Sequence, residues 1–153
     1  RAIWFLGYSG FQPIADTEKF IVIYPQGSIL ITTGQPHWNV GGWTNGSTTD
    51  DVDFISYLID WSDDNFNINT DRVYSTGMSN GGYMSFHLAC NLSHKIAAIA
   101  SVTGSMTPDT YNSCNPIHST SVMQIHGDAD TVVPYYGNWR SKSIPAVMEY
   151  WEE

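Results

Sequence analysis

Basic side chains are scarce in this chain. Its 153 residues hold six Lys and Arg against 15 Asp and Glu, a net charge of −9. A surface of that sign repels phosphate backbones and anionic bilayers, so neither nucleic acid nor a membrane is expected as a partner. Long apolar runs are also missing: none approaches the ~18 residues that cross a bilayer, and no signal peptide opens the chain. Cysteine is limited to Cys90 and Cys114. An even pair in a Trp- and Tyr-rich, Lys-poor chain fits a disulfide in a secreted protein. Two buried free thiols are the alternative, and no Cys-type motif makes either one a nucleophile. Cap residues are lacking at the ends: "RAIWFLGYSG" starts abruptly and "AVMEYWEE" stops inside a helix-like pattern. The expectation is a fragment.

What the chain does have is aromatic surface. Hydrophobic residues make up 42% of it and aromatics 14%, with six Trp and nine Tyr, more than a core of this size needs. The length fits a single domain over 1–153, without repeats or low-complexity stretches, that buries roughly 68–70% of its extended surface. "KFIVIYPQG" (19–27) reads as a buried strand ended by Pro25 and Gly27. Residues 28–49 lack periodicity and read as a long loop, which in compact domains is usually functional or disordered; Trp38 and Trp43 within it argue against disorder. "TTDDVDFISYLIDWSDDNF" (48–66) reads as a helix with Val52, Ile55, Leu58 and Ile59 on one face and capping side chains at Thr49, Asp50 and Asp51. Strands follow at 71–77, 95–104 and 121–127, with helices at 80–92 and from about Ser143. Strands alternating with helices predict an α/β protein with a parallel sheet.

Ser79 lies in Gly77-Met78-Ser79-Asn80-Gly81, a G-x-S-x-G frame. The frame alone is weak; its placement between a strand and a helix is what gives it meaning, because a sharp turn there lifts the serine Oγ above the sheet. The Asn80 N–H would then point at a developing oxyanion from the positive end of the helix. The plainer alternative is a serine that merely caps that helix. In α/β-hydrolases the acid and then the histidine follow the serine in the chain. "QIHGDADTVVPYYG" (124–137) supplies the acid, with Asp130 in an H-G-x-x-D-x-x-V-P pattern and Asp128 at a spacer position. Either could instead be a turn carboxylate that accepts backbone N–H bonds. No histidine follows: His37, His87, His94, His118 and His126 all precede Asp130. His126 is expected to support the acid loop by hydrogen bonding, and no residue qualifies as general base.

"YSGFQPIADTEKFIVIYPQG", "HWNVGGWTNGSTTDDVDF", "INTDRVYSTGMSNGGYMSFHLAC", "IAAIASVTGSM" and "HGDADTVVPYYG" together resemble the polyhydroxybutyrate depolymerase and feruloyl esterase group, secreted α/β-hydrolases similar to carbohydrate esterase family 1. The resemblance runs over almost the whole chain from Tyr8. It implies an α/β-hydrolase fold, incomplete at both ends, and a carboxylic ester hydrolase working through an acyl-enzyme without cofactor or metal. It implies Ser79 as nucleophile, Asp130 as triad acid, Asn80 as an oxyanion-hole residue and Cys90 paired with Cys114. Substrates would be polymeric hydroxyalkanoates, feruloyl or acetyl polysaccharides, or small esters, met outside the cell. Trp38, Trp43 and Tyr83 are candidates to line an aromatic cleft, with structural packing as the commoner fate of such residues. Two departures stand out. The group's base sits in a C-terminal G-H-x-W-P-like segment, and its H-G-x-G-type oxyanion loop has no counterpart here beyond Gly7. The opposing expectation is a catalytically silent chain, a truncated remnant or an ester- or sugar-binding protein.

Overall fold

A computed structural model describes residues 2–152. The chain divides into two compact units, one ending at His37 and one beginning at Trp38. In the first, helices α1 (Ala2–Ser9) and α2 (Phe11–Glu18) are followed by β1 (Ile29–Leu30) and β2 (Gln35–Pro36), which pair antiparallel. Gly7 falls inside α1, so its backbone is helical rather than looped. The apolar run over 19–27 does not form the expected strand. Residues 20–28 enter no ladder, and Phe20, Ile21 and Ile23 are exposed. The β-branched composition favours extended backbone there, but a strand exists only where a neighbour faces its N–H and C=O groups.

The second unit follows the expected alternation. Helix α3 (Asp51–Phe66) leads through a short turn into β3 (Tyr74–Met78), then α4 (Asn80–Asn91), β4 (Ala98–Val102), α5 (Pro108–Ser113), β5 (Ser121–Ile125) and α6 (Ile144–Glu152). Helix α3 begins three residues later than the periodicity suggests because Asp50 is outside it as the cap. The Asp50 carboxylate accepts the Asp53 N–H at 2.9 Å, and Asp51 and Asp53 complement the helix dipole in the first turn. Thr107 caps α5 in the same way, accepting the Thr110 N–H, with Pro108 opening the helix.

The sheet has the order β3-β4-β5, all parallel, with Gly77 opposite Ser101 and Ser101 opposite Gln124. Because side chains alternate across a strand, Ile99 and Ser101 turn inward while Tyr74, Met123 and Ile125 lie on the exposed face. Helix α4 packs on β3 and β4, and it is the centre of the core. Tyr83, Met84, Phe86, Leu88 and Ala89 are buried there with Ile96, Ile99, Met106 and Val147. Each large apolar side chain of this set contributes roughly 1.5–3 kcal/mol by leaving water. The parallel strands all end on one side, so Ser79, Thr103 and His126 emerge from the same edge of the sheet.

Cys90, in the last turn of α4, is disulfide-bonded to Cys114, just past α5. The cross-link closes a loop with a sequence separation of 24, for which constraint of the unfolded chain is worth about 3 kcal/mol. A Cys90→Ser/Cys114→Ser double variant is expected to lose about that much, read as a lower urea midpoint with a somewhat larger m-value, because the unfolded chain is freed to expand.

Candidate active site

No loop separates β3 from α4. Met78 ends the strand, Asn80 starts the helix, and Ser79 makes the whole turn at φ 53°, ψ −119°. For a residue with a Cβ that conformation costs on the order of 1–3 kcal/mol and persists only where its surroundings enforce it. Two features do so. The Ser79 N–H donates to the Val102 carbonyl at 2.9 Å, tying the turn to β4. A Cβ on Gly77 would stand 2.5 Å from the Gly81 carbonyl carbon, so the strand and the first helical turn touch backbone to backbone. Ser79 makes no side-chain capping bond, which removes the plain capping reading of its hydroxyl.

Asn80 has two separable groups. Its side chain accepts the Trp38 N–H at 2.6 Å and donates to the Trp38 carbonyl at 3.0 Å. That reciprocal pair clamps the loop against the elbow. The backbone N–H of Asn80 is the first of α4 and has no carbonyl one turn earlier to bond within the helix. The loop is further fixed by Asn39 N–H to the buried Asp51 carboxylate at 2.6 Å and by the Thr107 and Thr110 hydroxyls, both donating to the Val40 carbonyl. Trp38 and Trp43 are consequently half-buried on an ordered loop. Tyr83 lies deeper than a cleft residue. It is 3% exposed, meets Trp43 edge-on at 5.7 Å, and shares a short hydrogen bond between its hydroxyl and that of Ser141. Burial raises the Tyr83 phenol above its ordinary value, so it remains protonated.

Asp130 sits at the end of β5's loop with its two oxygens in different surroundings. Oδ1 accepts the Val132 and Val133 N–H groups at 2.8 and 2.9 Å, whereas Oδ2 has no hydrogen bond and lies 3.9 Å from His126 Nε2. The backbone bonds from Val133 and Val132, with a smaller contribution from His126, hold its carboxyl below the usual range against a weaker opposing effect of desolvation. His126 is not poised to move protons. Its Nε2 is 2.8 Å from the Val133 carbonyl, an obligate acceptor, so Nε2 carries the hydrogen. Its Nδ1 then accepts from the Gln124 amide at 2.9 Å, and the same amide nitrogen donates to the Gly104 carbonyl. The expected supporting role of His126 is what this geometry describes.

The remaining histidines lie elsewhere. His87 is inside α4 with Nδ1 on the Thr110 hydroxyl, and burial lowers its pKa. His94 lies past the C-terminal end of α4, and His118 precedes β5, at the opposite edge of the sheet from Ser79. His37 belongs to the first unit, where its Nδ1 meets the Ser28 carbonyl. Among the described residues, no histidine ring hydrogen-bonds to Ser79 or Asp130. Asp128 makes no contact comparable to those of Asp130. The clamp role of the Asn80 side chain and the burial of Tyr83 were not readable in advance, because both depend on partners more than 40 residues away in sequence.

Two measurements check this geometry. Gly77→Ala is expected to unfold the second unit or displace the elbow, whereas Gly81→Ala, whose added Cβ meets nothing within 4 Å, should fold with stability within about 1 kcal/mol of the parent. Thermal melts of the pair read the difference. Asp130 has a lowered folded-state pKa, so its contribution is complete above about pH 4, the ordinary Asp value, and is lost as pH falls through the folded value. The gap in melting temperature between the parent and Asp130→Asn should be flat from pH 7 to 5 and close in stronger acid.

The chain has clear relatives. The model of a family described as Phospholipase/Carboxylesterase matches residues 45–148, more than half of the chain. A bifunctional acetylxylan esterase/xylanase of Neocallimastix patriciarum is 32% identical over 125 residues, 82% of this chain and 17% of that protein. Feruloyl esterase D of Neurospora crassa is 30% identical over 128 residues, covering 84% of this chain and 39% of its own length. Feruloyl esterase C of Emericella nidulans is 30% identical over 112 residues, 73% of this chain and 39% of that protein. The chain thus spans well under half the length of these curated relatives. The parallel sheet, its flanking helices and the matched span agree, and the chain belongs to the phospholipase/carboxylesterase family of α/β-hydrolases.

Proposed function

We propose that this chain is the serine- and acid-bearing part of a carboxylic ester hydrolase acting on acetyl or feruloyl groups carried by polysaccharide, with both compact units belonging to one catalytic domain. The observation that carries the reading is the strained elbow at Ser79, set on the same sheet edge as a carboxylate with one oxygen left unbonded. A strained serine without a capping bond is a poor structural choice and a good nucleophile mount.

In the proposed reaction the Ser79 Oγ attacks the ester carbonyl and the Asn80 N–H donates to the oxyanion. A histidine takes the Ser79 proton and returns it to the leaving alcohol; water then cleaves the acyl-enzyme. Asp130 Oδ2 is free to accept the Nδ1–H of that histidine, holding its tautomer, while Oδ1 keeps the carboxylate in place. The five histidines of the chain are placed away from this role, so the base is a histidine from outside residues 1–153. Trp38 and Trp43 are proposed to contact substrate, and Tyr83 to support Trp43 from below. The acetylxylan and feruloyl esterases among the relatives favour a carbohydrate ester over a hydroxyalkanoate polymer. The disulfide fits an extracellular site of action.

The histidine placement also favours a second reading for residues 1–153 by themselves, that of an ester-binding but catalytically silent chain. Labelling with a fluorophosphonate probe, beside hydrolysis of p-nitrophenyl acetate, separates the two. Labelling and turnover that both vanish in Ser79→Ala would establish an activated serine. A parent indistinguishable from Ser79→Ala in both assays would leave the silent reading, and adding a C-terminal segment with the missing histidine should then raise turnover by at least 10³-fold.

A further inference from the structure

The loop that follows the candidate acid exposes more aromatic surface than any packing role explains. Tyr136 is 80% exposed and Trp139 74%. Exposed aromatics on mobile loops mean little, but this loop is built. Gly137 turns at φ 78°, and a Cβ there would stand 2.7 Å from the Ser143 nitrogen. Asn138 and Ser141 exchange backbone hydrogen bonds across the tip, and the Arg140 N–H donates to the Asn138 side chain at 2.8 Å. The base of the loop is held by Lys142 N–H to the Met106 carbonyl and Ile144 N–H to the Tyr135 carbonyl.

This loop shares a neighbourhood with the catalytic candidates. Tyr83, whose N–H donates to the Ser79 carbonyl, reaches with its hydroxyl to Ser141, two residues past Trp139. Asp130 and Arg140 both act electrostatically on that same hydroxyl, with opposite sign. The Arg140 guanidinium lies 4.5 Å from the Trp139 ring centre and covers one face of the indole. Arg140 is one of only six basic residues in a chain of net charge −9, yet it forms no ion pair among the described residues. An unpaired guanidinium laid on an open indole, on a loop tied through Ser141 and Tyr83 to the helix that Ser79 opens, offers a flat apolar face together with a fan of donors. Sugar rings present the matching features, an apolar C–H face bordered by oxygen acceptors.

We propose that Trp139 and Arg140 form a carbohydrate subsite of this esterase, the free indole face stacking on a sugar ring while the guanidinium donates to its oxygens. The inference rests on the esterase reading for its place in catalysis, and on the loop geometry for binding itself. Stacking on Trp139 would hold the polysaccharide beside Ser79 and discriminate carbohydrate-borne esters from small soluble ones with the same acyl group.

Affinity electrophoresis through gels containing soluble acetylated xylan tests it, with every variant made on a Ser79→Ala background so that nothing is consumed. Trp139→Ala is expected to weaken retardation on the order of tenfold, the loss of one well-placed aromatic anchor. Arg140→Ala should weaken it about threefold to fivefold. Trp139→Phe, which keeps a ring, should retain most of the binding. Tyr57→Ala removes another exposed ring, from α3, and should leave retardation unchanged. Retention of binding by Trp139→Ala, equal loss in Tyr57→Ala, or no retardation of the background protein at all would each overturn the proposal. Loss of retardation in Trp139→Ala while the parent's serine stays unlabelled by fluorophosphonate would keep the subsite and leave residues 1–153 with the silent reading instead.

Discussion

Gly77 and the carbonyl of Gly81 approach so closely that a side-chain carbon between them would sit 2.5–2.6 Å from backbone atoms. That contact brings β3 into α4 with only Ser79 to make the turn. Neither element can move outward to relieve the serine. The strand is hydrogen-bonded to β4 along its length, and the helix is buried from Gly82 onward through Phe86. The conformational cost at Ser79 is therefore met by sheet pairing and core burial, both of which would be lost together if the turn relaxed. Local strain at Ser79 and global stability of the second unit are coupled through this single approach.

The same rigid elbow organises the aromatic loop. Asn80 uses its side chain on both backbone groups of Trp38 and leaves its own N–H at the start of α4 without an intrahelical partner. A larger or apolar side chain at position 80 would free Trp38 and, through Asn39 and Asp51, loosen the start of α3. On the other flank, Gln124 and His126 form a chain of bonds from the Gly104 carbonyl to the Val133 carbonyl, and Val133 in turn donates to Asp130. The turn at Ser79 and the loop of Asp130 are thus each braced by side-chain hydrogen bonds from neighbouring residues.

Much of this was legible in residue order. Ser79 could be located because glycine spacing, the preceding strand and the following helix are all local signals. Helix α3 showed its face through Val52, Ile55 and Ile59, which do pack against the core. Asp130 stood out through a turn pattern within a few residues, and its bonds to Val132 and Val133 are equally local. The failures are non-local. The run around Phe20–Ile23 has strand composition, yet strand formation depends on a partner that sequence does not name. Tyr83 looked available beside the serine, but helical rotation carries it under the Trp139–Ser141 loop, a contact 58 residues distant. Trp139 and Arg140 carried no motif at all; their meaning appears only when exposure, stacking and the rigidity of the loop are seen together.

The two oxygens of Asp130 stand in different surroundings, and that difference is what motivates the triad proposal. A turn carboxylate satisfies the nearby N–H groups and its work is done; Oδ1 alone accomplishes this, with two donors. An asparagine carbonyl would accept the same two N–H groups, but without the charge that strengthens those bonds and holds the carboxyl below its usual range. The second oxygen stays open to a donor of its own. His126, at 3.9 Å, is not that donor, because its single N–H is committed to Val133. The unused acceptor on Asp130 and the unbonded hydroxyl of Ser79 thus leave complementary vacant valences on one sheet edge. An imidazole with one nitrogen toward each is what the proposed triad requires.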